Sequence, residues 1–333
     1  MLASRKGETE SGGGRPGVQI PELVAPSVLE RRGSGHLLPD WFLLVVPGVI
    51  WGASFLFIAE GLRAVGPNGV TFLRILVGFL TLSLVPGARR RLPAAEWGPI
   101  ALLGVVWLAF PLSMFPYAEE RVSSALTGML NGANPLFTAI VAAALARALP
   151  PRAVAAGLLV GIVGTVFIAL PTIHEGKSST EGVLLILAAL VSYGFALHIA
   201  RPLQQRHGAL PVIFRAQAVA LALTAPLGLP EVLKARWSLG PLLSLLALGA
   251  LGTALAHVLV TMAAGRVGAT RASATAFLIP AVALALGVVF RGEHVAGISV
   301  CGGVLCVAGA WLMRKAQLGL QASAVATPSA RPY

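Results

Sequence analysis

From residue 41 onward the chain alternates apolar stretches with short polar breaks, and the stretches run to about 20 residues, the length an α-helix needs to cross a bilayer. This pattern predicts helices near 41 to 60, 68 to 86, 98 to 118, 123 to 146, 153 to 170, 182 to 202, 210 to 229, 240 to 264, 269 to 290 and 294 to 313. Several breaks are so short that hydropathy alone would merge neighbours. Pro150-Pro151 and the polar run Arg291 to His294 keep them apart. Residues 1 to 40 have no sustained hydrophobic period and carry five Lys/Arg against five Asp/Glu, which predicts a disordered cytoplasmic tail. No apolar core follows their basic start directly, so a cleavable signal peptide is not expected. Residues 316 to 333 are expected to form a second short tail.

The pattern repeats. "NPLFTAIVAAALARALPPRAVAAGLLVGIVG" superimposes on "IPAVALALGVVFRGEHVAGISVCGGVLCVAG" at a constant shift of 145, which places Pro135 on Pro280, Gly157 on Gly302 and Gly164 on Gly309. Arg121 and Arg266 obey the same shift, and Arg74 meets Arg215 at a shift of 141. Each half therefore holds five spans. Five is odd, so the second half enters the membrane upside down, an arrangement that marks transporters with a substrate site near the midplane. The expected fold class is an all-α integral membrane protein of ten transmembrane helices, arranged as two inverted five-helix repeats at 41 to 171 and 182 to 315.

Composition agrees with a membrane protein: 56% of residues are hydrophobic and 11% charged, against roughly 25% charged in a soluble domain. Charge then orients it. With the N-terminus inside, inner connections and the C-terminal flank hold eleven Lys/Arg and outer connections six, which predicts a plasma-membrane protein with both termini cytoplasmic. Dispersal of these residues among loops also accounts for most of the net charge of +12 without nucleic acid.

In its order of features the chain resembles the EamA-type carriers of the drug/metabolite transporter superfamily. These features are "WGASF" in the first span, Arg74 early in the second, and Pro-containing fourth and ninth spans followed by Gly-rich fifth and tenth spans. The resemblance covers residues 41 to 315 and implies export of amino acids, metabolites or drugs through a cavity lined by both halves. The family pattern closes each Pro-containing span with a Glu thirteen residues after the proline; Glu293 fits, whereas the first half has Ala148.

Candidate chemistry is sparse. Thr127, Asn131, Asn134 and Thr138 are spaced by four, three and four, which puts them on one face of an otherwise greasy helix. The stripe maps at the shift of 145 onto Ala272, Ala276, Ile279 and Ala283, so the fold itself does not require it. Pro135 is expected to kink the helix and free the carbonyl of Asn131. His257, the one titratable residue well inside the eighth span, is a functional candidate by position, and Trp51, Ser54 and Tyr193 bring aromatic or hydroxyl groups to mid-depth. Plain packing or interhelical bonding is the competing reading for each. Arg74 and Arg215 lie within about two turns of their span starts and are expected to snorkel. Glu119 and Glu120 are expected to be solvated helix ends, Glu293 a structural helix-end residue, and Gly157, Gly161, Gly164, Gly302, Cys306 and Gly309 a close-packing seam.

Neither a metal site nor a cofactor is expected. The histidines lack HExxH-like spacing, and "GKSS" at Gly176 has Pro171 where a phosphate-binding loop needs its leading glycine. A membrane enzyme would require paired carboxylates, metal ligands or an activated nucleophile, and a channel a charge ring or a carbonyl filter; these remain the alternatives to a secondary transporter. The partners expected are a small-molecule solute and the lipid bilayer, with proton coupling and a homodimer left open.

Overall fold

The computed structural model describes residues 39–174, 177–267 and 273–326; most of the predicted N-terminal tail, the last residues of the C-terminal one and the start of the predicted ninth span lie outside these. Among the described residues, regular structure is helical without strands. The helices are α1 (Asp40–Gly61), α2 (Pro67–Ser83), α3 (Trp97–Leu103), α4 (Phe110–Glu119), α5 (Ser124–Asn131), α6 (Asn134–Ala146), α7 (Arg152–His174), α8 (Lys177–His207), α9 (Ala209–Leu233), α10 (Leu239–Ala247), α11 (Ala256–Val267), α12 (Leu278–Arg291) and α13 (Gly297–Ala326). α13 thus continues through residues assigned to the C-terminal tail. Among the described residues seven helices are long and apolar enough to cross a membrane, or eight if the bent pair α5 and α6 is one span. The helices Pro67–Ser83 and Thr275–Arg291 are apolar but shorter; 17 residues of α2 extend about 25 Å.

Local chemistry sets the ends. Pro67 opens α2, where its missing N–H costs nothing. The Ser123 hydroxyl accepts from Leu126 N at the start of α5. α12 ends on Gly292 at φ 62°, a left-handed turn that glycine takes without strain. At the position 145 residues earlier, Arg147 takes the same turn at φ 49° without being glycine.

Two spans are interrupted by π segments, Gly104–Ala109 between α3 and α4 and Leu248–Leu255 between α10 and α11. Shifted by 145 residues, the first falls inside the second. Pro111, just past the first, lacks an N–H for Trp107; in the second, the Thr253 hydroxyl donates to the Leu248 carbonyl at 3.2 Å.

α7 and α13 pack along the small-residue seam read from the sequence. A Cβ at Gly164 would stand 2.5 Å from Cys306 N, and one at Gly302 2.6 Å from Gly164 O, so backbone meets backbone. Cys306 is buried in this seam while Cys301 is exposed.

At one end of the bundle, carboxylates of the second half hold helix starts of the first. Glu231 accepts from Asn68 Nδ2 (2.8 Å) and Gly69 N (2.7 Å). Glu293 accepts from Ser124 N (3.1 Å), Ser124 Oγ (2.7 Å) and Ala125 N (2.8 Å). At the other end Glu96 meets His207 (2.8 Å) and Arg206 (3.3 Å).

Gly164→Val should lower the melting temperature in detergent, because overpacking at a backbone contact costs about 1–3 kcal/mol. Gly297→Ala, with open space around it, should leave the melting temperature unchanged.

Candidate functional site

The polar stripe of the fourth span does not lie on one straight helix. α5 ends at Asn131, α6 starts at Asn134, and the two are bent by 42°. Pro135 supplies the cause: without its N–H the Asn131 carbonyl has no i+4 partner, and Gly132 N turns back to Met129 O instead. The hydroxyls on the stripe are used locally, Thr127 donating to Ser123 O and Thr138 to Asn134 O, each at 3.0 Å. The amides differ. The Oδ1 atoms of both Asn131 and Asn134 are buried without a protein hydrogen-bond partner, a condition that costs about 1–3 kcal/mol unless something else fills it. The bend thus leaves two amide oxygens and a backbone carbonyl in one short break.

A second set of candidates gathers around the π segment 248–255. Trp51 Nε1 donates to the Gly252 carbonyl at 3.0 Å, and its ring meets His257 edge-on with centroids 5.4 Å apart. Trp107 also meets His257 edge-on, with centroids 5.8 Å apart, so the imidazole contacts two indoles from the first half. Ser54 is buried and its hydroxyl donates to Ile50 O at 3.0 Å; it packs so near Gly252 that a Cβ there would come within 2.9 Å of Ser54 Oγ. Thr253 and Gln217, which the sequence did not single out, complete the group. Gln217 is fully buried, its Nε2 donating to the Thr253 carbonyl at 3.1 Å.

Arg74 joins this group and does not snorkel. It is 6% exposed and its Nε donates to Thr253 Oγ1 at 3.1 Å. It lies seven residues into α2, about 10 Å from the helix start, and a side chain that deep finds a nearer partner in the π segment than at the interface. Its repeat counterpart Arg215 does reach an end, donating to Ala88 O (3.4 Å) and Pro211 O (3.2 Å).

Tyr193 belongs to an aromatic row where Phe115 lies 5.6 Å from Phe55 and 6.1 Å from Tyr193. One turn beyond Phe115 on α4 is Glu119, and here the sequence reading is corrected. Both Glu119 carboxylate oxygens are buried without a hydrogen-bond partner among the described residues, whereas Glu120 is exposed beside Arg121. The i, i+4 relation to Phe115 turns Glu119 inward. That relation was present in the sequence; the nearby helix end outweighed it.

The two π segments also exchange bonds between halves. Trp51 donates to Gly252 O, and Ser192, 141 residues after Trp51, donates to Val106 O at 2.6 Å. Each half thus sends one side chain to a carbonyl in the other half's π segment.

Residues 40–170 and 180–315 each match the EamA-like transporter family. The chain is 28% identical to the probable terminal-alkyne amino-acid exporter of Streptantibioticus cattleyicolor over 86% of its length and 97% of that protein. It is 25% identical to the probable amino-acid metabolite efflux pump of Salmonella typhimurium (82% and 94%) and 26% identical to the pseudopaline exporter of Pseudomonas aeruginosa (84% and 95%). A crystal structure of 20% identity superimposes with a TM-score of 0.56, covering 84% of this chain and 98% of that one.

Thr253→Val removes the oxygen that holds Arg74 Nε and should lower stability by about 1–3 kcal/mol. Thr138→Val, whose hydroxyl serves only its own helix, should change it by less than about 0.5 kcal/mol. Thermal unfolding in detergent compares the two.

Proposed function

The chain belongs to the EamA-like transporter family, and from that premise we propose a secondary carrier that exports a small metabolite, amino acid or drug-like solute by alternating access. It is a multi-pass membrane transporter. In the proposed architecture ten helices cross the membrane as two inverted five-helix repeats, 41 to 171 and 182 to 315. The matching family segments, the π segments at equivalent positions, the left-handed turns at Arg147 and Gly292 and the exchanged bonds of Trp51 and Ser192 support it. The α2 helix and the segment Thr275–Arg291 then cross as short spans. In this reading the Glu96 end faces the cytoplasm with both termini, and the membrane is the plasma membrane.

The observation that carries the site is the pair of unpartnered amide oxygens at the Asn131–Asn134 break. An interhelical polar contact in lipid is worth about 0.6 kcal/mol on average, so two buried amide oxygens left unpaired are a poor device for stability and a good one for a solute that supplies donors. Asn131, Asn134 and the freed carbonyl bind the solute's polar groups. Thr127 and Thr138 hold the flanking turns, Trp51, Ser54 and His257 form the polar wall at the π segment, and Tyr193 contributes to the apolar wall. A solute path within one chain does not call for a homodimer. The relatives named as exporters of amino-acid-derived solutes support the direction and the solute class.

Counterflow of preloaded solute in proteoliposomes separates a carrier from a channel, and an enzyme would show neither behaviour. Asn131→Leu and Asn134→Leu should reach the membrane folded at normal levels and lose transport, while Ala276→Asn should not create a second site. Full transport in both leucine variants counts against this site. If His257 carries a proton in the cycle, His257→Gln should alter the dependence of transport on pH; identical profiles remove His257 from coupling.

A further inference from the structure

The unmet hydrogen-bonding capacity of the interior is one-sided. Among the described residues, the buried side-chain oxygens without a protein donor are both oxygens of Glu119, Oδ1 of Asn131, Oδ1 of Asn134 and Oε1 of Gln217. Arg314 Nε, a donor in the same condition, lies on α13, outside this group. A site rich in acceptors selects a ligand rich in donors, because a ligand that cannot donate leaves those oxygens buried and unpaired.

Glu119 is the strongest of these acceptors. The groups whose charges act on it are Glu293, Arg291 and Arg74. None donates a hydrogen bond to it: the charges of Arg291 and Arg74 reach Glu119, but each arginine gives its Nε hydrogen bond elsewhere. Arg291 Nε lies 3.2 Å from Glu293 and Arg291 Nη1 3.8 Å from Glu60, while Arg74 Nε is given to Thr253. Glu293 is itself saturated by Ser124 and Ala125. A carboxylate in such surroundings calls for a cation from outside the protein. Its other neighbours fit one: Phe115, one turn away on the same helix, leads the row of Phe55 and Tyr193 rings, and aromatic faces beside a carboxylate suit an ammonium group on an apolar body.

Resting on the carrier reading above, we propose that Glu119 receives a protonated amine of the solute, so that the transported class consists of ammonium compounds with an apolar body, and the amine is the group by which they are selected. The aromatic row takes the body. The Asn131 and Asn134 oxygens, at the break between α5 and α6, take further donors.

The test uses purified full-length protein in detergent, with probes paired by the presence of the amine: phenylalanine with 3-phenylpropanoate, norleucine with hexanoate, and hexylamine with hexanol. Binding is read as the ligand-induced shift in melting temperature. In the wild type the amine member of a pair should bind and its partner should not. Glu119→Gln should weaken amine binding about 10- to 100-fold, the worth of a charge-assisted hydrogen bond, and Glu119→Asp should keep part of it. Glu119→Gln without ligand should melt no lower than the wild type; a lower value would show a structural ion pair and overturn the assignment. So would binding of no amine, binding indifferent to the amine, or an amine preference that survives Glu119→Gln. Glu119-dependent amine binding without counterflow in proteoliposomes would remove the carrier reading and keep this one. Counterflow indifferent to the amine would do the reverse.

Discussion

A backbone carbonyl released from a helix inside a bilayer has no water to accept from, so irregular turns there survive only where the protein itself supplies a donor. The polar centre of this chain follows from that constraint. The two π segments free carbonyls at mid-helix, and Trp51, Ser192 and Gln217 meet them from other helices. Because the Trp51 and Ser192 bonds run between the halves in opposite senses, they tie together the two helices that each half contributes to the centre. Arg74 adds a third tie across the same place through Thr253. Around this bonded nucleus the fourth-span break stands out, since Asn131 and Asn134 offer oxygens that nothing among the described residues meets.

The two halves share a backbone plan and differ in side chains. Glu293 caps α5, whereas Ala148, its counterpart, has no group that could cap anything. Arg74 is buried on Thr253, whereas Arg215 reaches carbonyls near a helix end. The asparagine stripe corresponds to alanine and isoleucine in the second half. Repetition of the plan serves the fold, and each departure from it places charge or hydrogen-bonding capacity on one side only. Such asymmetry lets one family scaffold hold a particular solute, since function resides in groups grafted onto a shared architecture.

Much of the fold was legible because hydropathy and proline placement act locally. Seven long apolar helices, the bend at Pro135 and the glycine seam follow from a few adjacent residues. The π segments were not legible in this way: the second carries one threonine hydroxyl bonded five residues back in an unremarkable run of Leu, Gly and Ala. The site was read in part. The amides announced themselves by being polar in a greasy helix, but their hydroxyl neighbours turned out to serve their own backbone. Glu119 was missed because depth was judged by distance from a helix end, while the face it shares with Phe115 decides where its carboxylate goes. Arg74 was missed for the related reason that its partner, Thr253, lies 179 residues away.

The central claim is that the break at Asn131 lies in a solute path reached from each side of the membrane in turn. The direct measurement places a single thiol there, Asn131→Cys with Cys301→Ser and Cys306→Ser, in oriented proteoliposomes, and applies a membrane-impermeant thiol reagent to one side at a time. The expected result is labelling from either side, slowed by a bound solute. Labelling from one side only, or from neither, would contradict alternating access to this site.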